Sequence, residues 1–187
     1  MRGIMQSGRM PIMFKKLKLV SLFGIACALP TVASANNFDY NFLEVRTTVS
    51  PQSSGLEYSH YFTDNSHYIV RGDSRFSQDW DLAAGMGFNG PFGNFADIFG
   101  EALLHQIRED DENGGNDTTK VEISVGTRVW ISDQFEGSLR LGKLGTGTVF
   151  ITGIRFHSTD QLSVALESRN AGIWGSQIGI SVRFGFK

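Results

Sequence analysis

The 187-residue chain contains a single cysteine, Cys27, so no intramolecular disulfide can hold its fold together. It also lacks a long hydrophobic run. The main apolar stretch, Leu19 to Leu29, is shorter than the ~20 residues a helix needs to cross a bilayer. Lysine is sparse beyond the first twenty residues, occurring only at Lys120, Lys143 and Lys187. The leading 35 residues hold Arg2, Arg9, Lys15, Lys16 and Lys18 and no acid, so residues 36–187 keep twelve basic groups against nineteen acidic ones, a formal charge of −7. That balance argues against a nucleic-acid partner, which requires a basic surface.

The leading segment follows the logic of export. Lys15, Lys16 and Lys18 precede the apolar core, and Ala33-Ser34-Ala35 supplies a small-x-small cleavage site. Residues 1–35 therefore read as a signal peptide cut after Ala35, leaving residues 36–187 as one domain. Met10 and Met13 are alternative starts beside Met1, because residues 1–9 add nothing to this pattern. Cys27 does not make the leader a lipoprotein signal: Gly24 stands where leucine is wanted, and the Ala-Ser-Ala site lies downstream.

What fills the remaining chain is alternation. Segments near 38–50, 55–63, 67–76, 81–89, 95–107, 118–130, 135–143, 147–157, 161–169 and 175–187 carry apolar residues at period two, bounded by turn residues. Every second connection is tight and rich in Ser, Thr, Asp and Asn, whose side chains bond nearby backbone groups. The others vary more, and the longest is the acidic stretch from Arg108 to Thr119. Phe95, Ile98, Phe99, Ala102, Leu103 and Ile107 also fit a helical stripe that Asn94 could cap. An even strand number decides for a strand there. The expected fold is all-β, an up-and-down antiparallel transmembrane β-barrel of ten strands, with eight as the alternative.

Charge assigns the two faces. One face of the later segments holds Val121, Ile123, Val125, Val129, Leu139, Leu141, Phe150, Ile154, Val164 and Leu166. The opposite face holds Glu122, Arg128, Glu136, Arg140, Arg155, Glu167, Arg169 and Arg183. A charge on a lipid face near the midplane costs about 2–4 kcal/mol, so the charged faces point inward. Glu44, Arg46, Arg71, Asp73, Arg75 and Glu101 are expected to join them. The basic members are all arginines, which grip carboxylates through two hydrogen bonds and keep their charge when desolvated. Ten strands lie close to the size at which side chains fill the interior, so the lumen should pass little more than water or small ions.

The last strand carries a second message. Ile178, Ile180, Val182, Phe184 and Phe186 alternate with polar or small residues up to the end of the chain. Gln177, Gly179, Val182 and Phe184, with Phe186 one place early, resemble the C-terminal signal of bacterial outer-membrane barrels. With the export signal and ten segments, residues 36–187 resemble the small barrels grouped as OmpA-like and OmpX-like. The resemblance implies a Gram-negative outer membrane, contact with membrane lipid and lipopolysaccharide, and delivery by the β-barrel assembly machinery. It implies activity only weakly, since one fold carries many functions.

Catalytic constellations are weak. His157, Ser158 and Glu167 have the residue types of lipid A deacylases but not their spacing. Asn36 and Asn37 leave no room for the amphipathic helix that precedes palmitoyl-transferase barrels. Asp79, Asp81 and His105 are a poor match to omptin-type proteases. The stretch Glu109 to Asp117 lacks the alternating spacing of a calcium loop. Tyr58, Tyr61, Tyr68, Phe76, Trp80, Phe88, Phe92, Trp130 and Trp174 fall near strand ends, as interfacial anchors do. No motif calls for a cofactor or metal, and any external ligand is unnamed. The leading expectation is a non-enzymatic protein with a structural or surface-interaction role through its outer loops. The alternative is a narrow pore for small solutes or ions, and a lipid A-modifying or proteolytic enzyme ranks third.

Overall fold

Period-two alternation places successive side chains on opposite faces, and a sheet that closes on itself hides one face and removes its edges. The computed structural model, which describes residues 38–75, 79–109 and 115–186, shows that closure. The predicted leader, Phe76, most of the acidic connection and Lys187 lie outside the described residues. Ten strands follow in order: β1 (Phe42–Val49), β2 (Ser53–Thr63), β3 (Ser66–Ser74), β4 (Trp80–Pro91), β5 (Ala96–Glu109), β6 (Asn116–Ser132), β7 (Phe135–Leu144), β8 (Gly147–His157), β9 (Leu162–Asn170) and β10 (Ser176–Gly185). Each pairs antiparallel with its sequence neighbours, and β1 pairs with β10, with Val45 opposite Val182 and Leu43 opposite Phe184. No edge strand remains.

The segment that also fitted a helix is a strand, and all 14 residues of β5 pair with β6. Its ambiguity has a physical origin. Ile98, Ala102 and Leu104 face out, while Phe99, Leu103 and Ile107 are buried inside, so both faces of β5 are apolar and the alternation loses contrast. The first strand is shorter than expected because residues 38–41 leave the wall and turn into the barrel mouth.

The faces are inverted relative to a soluble barrel. Ile123 is 65% exposed and Leu166 60% exposed, whereas Glu122 and Glu136 keep only 1% and 2% of their surface. An apolar outside around a charged inside is the arrangement of a barrel standing in lipid. The interior is nevertheless not wholly ionic. Ile69, Ala83 and Leu103 form one inward apolar cluster, and Ile107, Leu144 and Val149 form another.

The end where β1 begins and β10 ends has the tight connections, residues 64–65, 92–95, 133–134 and 158–161. At the last of these the Thr159 hydroxyl accepts hydrogen bonds from the backbone N–H groups of Gln161 and Leu162. At the opposite end the connections are residues 50–52, 75–79, 110–115, 145–146 and 171–175, none longer than six residues. The longest strands, β5 and β6, flank one of these connections and have 14 and 17 residues.

Candidate functional site: a charged lumen

The lumen is crossed by guanidinium–carboxylate bonds contributed by different walls. Near the terminal end, Arg128 on β6 donates from Nε and Nη2 to both oxygens of Glu136 on β7, at 2.7 and 2.9 Å. His157 on β8 reaches the same carboxylate through Nε2 at 3.0 Å. Glu44 on β1 accepts from Arg155 Nη2 and from Arg183 Nε, each at 2.7 Å. Arg155 also lies 3.7 Å from Glu167.

Higher in the barrel, Glu101 on β5 accepts from Arg140 Nη1 at 2.7 Å and from Arg71 Nη2 at 3.4 Å. Arg71 Nε donates to Glu57 at 2.7 Å, which ties β3 to β2. Glu122 lies within 3.9 Å of both Arg71 and Arg140. Arg46 Nη2 donates to both oxygens of Asp73, at 2.9 and 3.1 Å. That last pair needs Gly55, because a Cβ there would run into the Asp73 carboxylate. Between these groups a cavity of about 90 Å³ remains, lined among others by Glu44, Arg46, Glu101, Arg140, Arg155 and Arg169. It is polar and large enough to hold water.

The terminal mouth is narrowed further by residues 38–41. Phe38 stacks on Trp130 with ring centroids 5.4 Å apart, and Tyr40 stacks on His67 at 4.5 Å. The Arg128 guanidinium lies about 5 Å from the ring centres of both Phe38 and Tyr40, and its Nη1 donates to the Asp39 carbonyl at 3.1 Å. Tyr40 Oη donates to Asp97 at 2.7 Å. Burial raises the Tyr40 phenol far above its ordinary range, so it stays a donor. An aromatic plug, pinned by one arginine, occupies this end.

All thirteen residues read from the sequence as a lumen charge set point inward: Glu44, Arg46, Arg71, Asp73, Glu101, Glu122, Arg128, Glu136, Arg140, Arg155, Glu167, Arg169 and Arg183. Among the described residues, ion pairs join twelve of them and leave Arg169 outside. Arg75 sits instead on the connection after β3, 3.1 Å from Asp79. The sequence reading missed Glu57, although its parity with Gly55 and Ser59, opposite Leu56 and Tyr58, was the available signal. Of the terminal motif, Gln177 is buried in the lumen, where its amide donates to Thr48, Ser53 and the Pro51 carbonyl. Gly179 packs against Thr48, Val182 and Phe184 face outward, and Phe186 stacks on Tyr58 at 5.7 Å.

The aromatic set divides. Tyr58, Tyr68, Phe88 and Phe92 are exposed on the outer wall, as interfacial anchors would be. Tyr61 and Trp130 instead pack against the plug, because they share the inward parity of Glu57 and Ser59 on β2 and of Glu122 and Arg128 on β6.

The catalytic alternatives do not assemble. His157 is bonded to Glu136 and packed on Trp130, with centroids 4.6 Å apart, at the end opposite the outer loops. His105 does approach Asp81, at 2.9 Å, but its other ring nitrogen faces Glu122 at 3.1 Å. With both nitrogens held by carboxylates, neither is available to activate a nucleophile.

Fold and lumen together define the class, a closed ten-stranded barrel of membrane type with a narrow charged interior. No protein-family model matches the chain, and no curated protein is significantly similar to it. Among solved structures, the KdgM porin in complex with disordered oligogalacturonate matches with a TM-score of 0.52 and 9% identity, over 78% of this chain and 99% of that one. The outer-membrane protein Omp33 of Acinetobacter baumannii and the NanC porin match with a TM-score of 0.45 each, at 10% and 11% identity. They cover 79% and 78% of this chain and 98% and 99% of theirs. This likeness does not specifically show the OmpA-like and OmpX-like grouping.

One expectation is corrected. A structural or surface-interaction role needs outer loops that present a surface, yet the five connections at that end have two to six residues. The barrel fold is instead similar to that of a porin, with a TM-score of 0.52. These findings favour the alternative, a narrow pore.

Proposed function

We propose that this chain forms a narrow pore for small solutes and ions in a bacterial outer membrane. The observation that carries the reading is the cavity of about 90 Å³ set among buried ion pairs, inside a barrel whose outer wall is apolar. In a mature protein that resides stably in lipid, inward charge has two uses, to hold the walls together or to give ions a path. The ion pairs do the first wherever two partners meet, and the cavity leaves space for the second. Export through a leader cut after Ala35, assembly through the terminal row ending in Phe184 and Phe186, and contact with lipopolysaccharide complete the reading. No catalytic step is assigned to it.

The test is solute flux. Purified protein refolded into liposomes should collapse a gradient of potassium chloride while retaining an entrapped oligosaccharide. Liposomes that stay tight to chloride and potassium with correctly folded barrel present would sink the proposal. Rapid leakage of the oligosaccharide would replace a narrow pore with a wide one.

A further inference from the structure

Arg46, Arg71, Arg128, Arg140, Arg155 and Arg183 each hold a carboxylate in the lumen; among the described residues Arg169 holds none. Arg169 lies on β9, opposite Gln177 of β10 and Ile151 of β8, and keeps only 4% of its surface. Its Nε has no hydrogen-bond partner. The carboxylates whose field reaches it are already engaged, Asp73 by Arg46 at 2.9 Å and Glu167 by Arg155 at 3.7 Å. Gln177 cannot help, since its amide oxygen is no anion and its NH₂ group is committed to the β1–β2 turn. Arg46 and Arg71 add further positive potential at the same place.

A guanidinium stays charged at any relevant pH, and burying one without a partner is costly. Arg169 lines the cavity of about 90 Å³, so open space lies beside it within the lumen. Its planar fork fits two oxygens of one anion through parallel charge-assisted hydrogen bonds. We propose that Arg169 anchors a binding site for a small oxyanion, a carboxylate or sulfate of four or five heavy atoms, in the lumen. The site makes the pore prefer anions. That selectivity rests on the pore reading, whereas the binding itself rests only on the unpaired side chain.

The experiment separates the two. Detergent-refolded protein is unfolded by heat at constant ionic strength while sodium sulfate replaces sodium chloride. The wild type should be stabilised saturably. Arg169→Gln should show only the unsaturating rise that sulfate gives any folded protein by exclusion from its surface. Arg169→Lys keeps the charge but loses the fork, and should need about tenfold more sulfate for the same effect. It also serves if Arg169→Gln does not refold. Equal, unsaturating responses in wild type and variants would overturn the site. In bilayers, sulfate should reduce the chloride current of the wild type and not that of Arg169→Gln. Saturable, Arg169-dependent binding in a protein that carries no current would keep the site and remove the pore. Steady current with no Arg169-dependent sulfate effect would do the reverse.

Discussion

At the residue scale, the lumen shows how charge placement follows from parity. Once Val121, Ile123 and Val125 are assigned to lipid, Glu122 and Ser124 must face inward, and the structure puts both there. What parity does not give is who pairs with whom. Arg155 and Glu44 are separated by 111 positions and meet only because the barrel closes. The dependence of Arg46–Asp73 on Gly55 is likewise invisible until β2 and β3 are in register. Breaking a buried ion pair by removing one partner costs about 3–5 kcal/mol, because the other charge is left uncompensated. Arg128→Ala should fall in that range, since Glu136 would keep only His157. Arg155→Ala should cost less, because Arg183 still holds Glu44 at 2.7 Å. Urea unfolding of the refolded barrels, followed by tryptophan fluorescence, would rank the two, and the opposite order would contradict this pairing scheme. Gly55→Val should also destabilise the barrel, by pushing Asp73 off Arg46.

At the element scale, the segment before β1 is the instructive case. Phe38, Tyr40 and Phe42 alternate with Asp39, Asn41 and Leu43, so the sequence reads them as the start of the first strand. Their parity is that of Glu44 and Arg46, which is the lumen side, and three aromatics there have no lipid to face. The chain resolves this by folding residues 38–41 into the mouth against Trp130, His67 and Phe99. β5 was hard to read for a related reason, as its inward Phe99, Leu103 and Ile107 pack against other apolar side chains and not against arginines. If residues 38–41 are a plug, the double substitution Phe38→Ala with Tyr40→Ala should enlarge the conductance step while leaving the barrel folded, as judged by β-type circular dichroism. Unchanged conductance in a folded double variant would show that the constriction lies elsewhere.

At the scale of the whole molecule, strand number, direction and closure were all legible, because alternation and turn residues are local signals and an even count is forced by antiparallel closure. Function was less so, since the brevity of the outer connections is fixed only once the strand ends are known. Two consequences belong to this scale. Leu166→Arg places a charge on the lipid face and should cost about 2–4 kcal/mol if its position is near the midplane. Unboiled protein should migrate differently from boiled protein on a denaturing gel, and removal of Phe184 to Lys187 should abolish the folded band by depriving β1 of its closing partners Leu43–Phe184 and Phe42–Gly185. A folded band in the truncated protein would mean that the barrel closes without that contact.

The most direct measurement is the current carried by purified, refolded protein in a planar bilayer bathed in potassium chloride. A narrow pore through a charged constriction predicts small, resolvable unitary steps that grow when Arg128→Ala or the Phe38/Tyr40 substitutions loosen the lumen. Silent membranes with demonstrably inserted barrels, or large open steps that admit oligosaccharides, would contradict it.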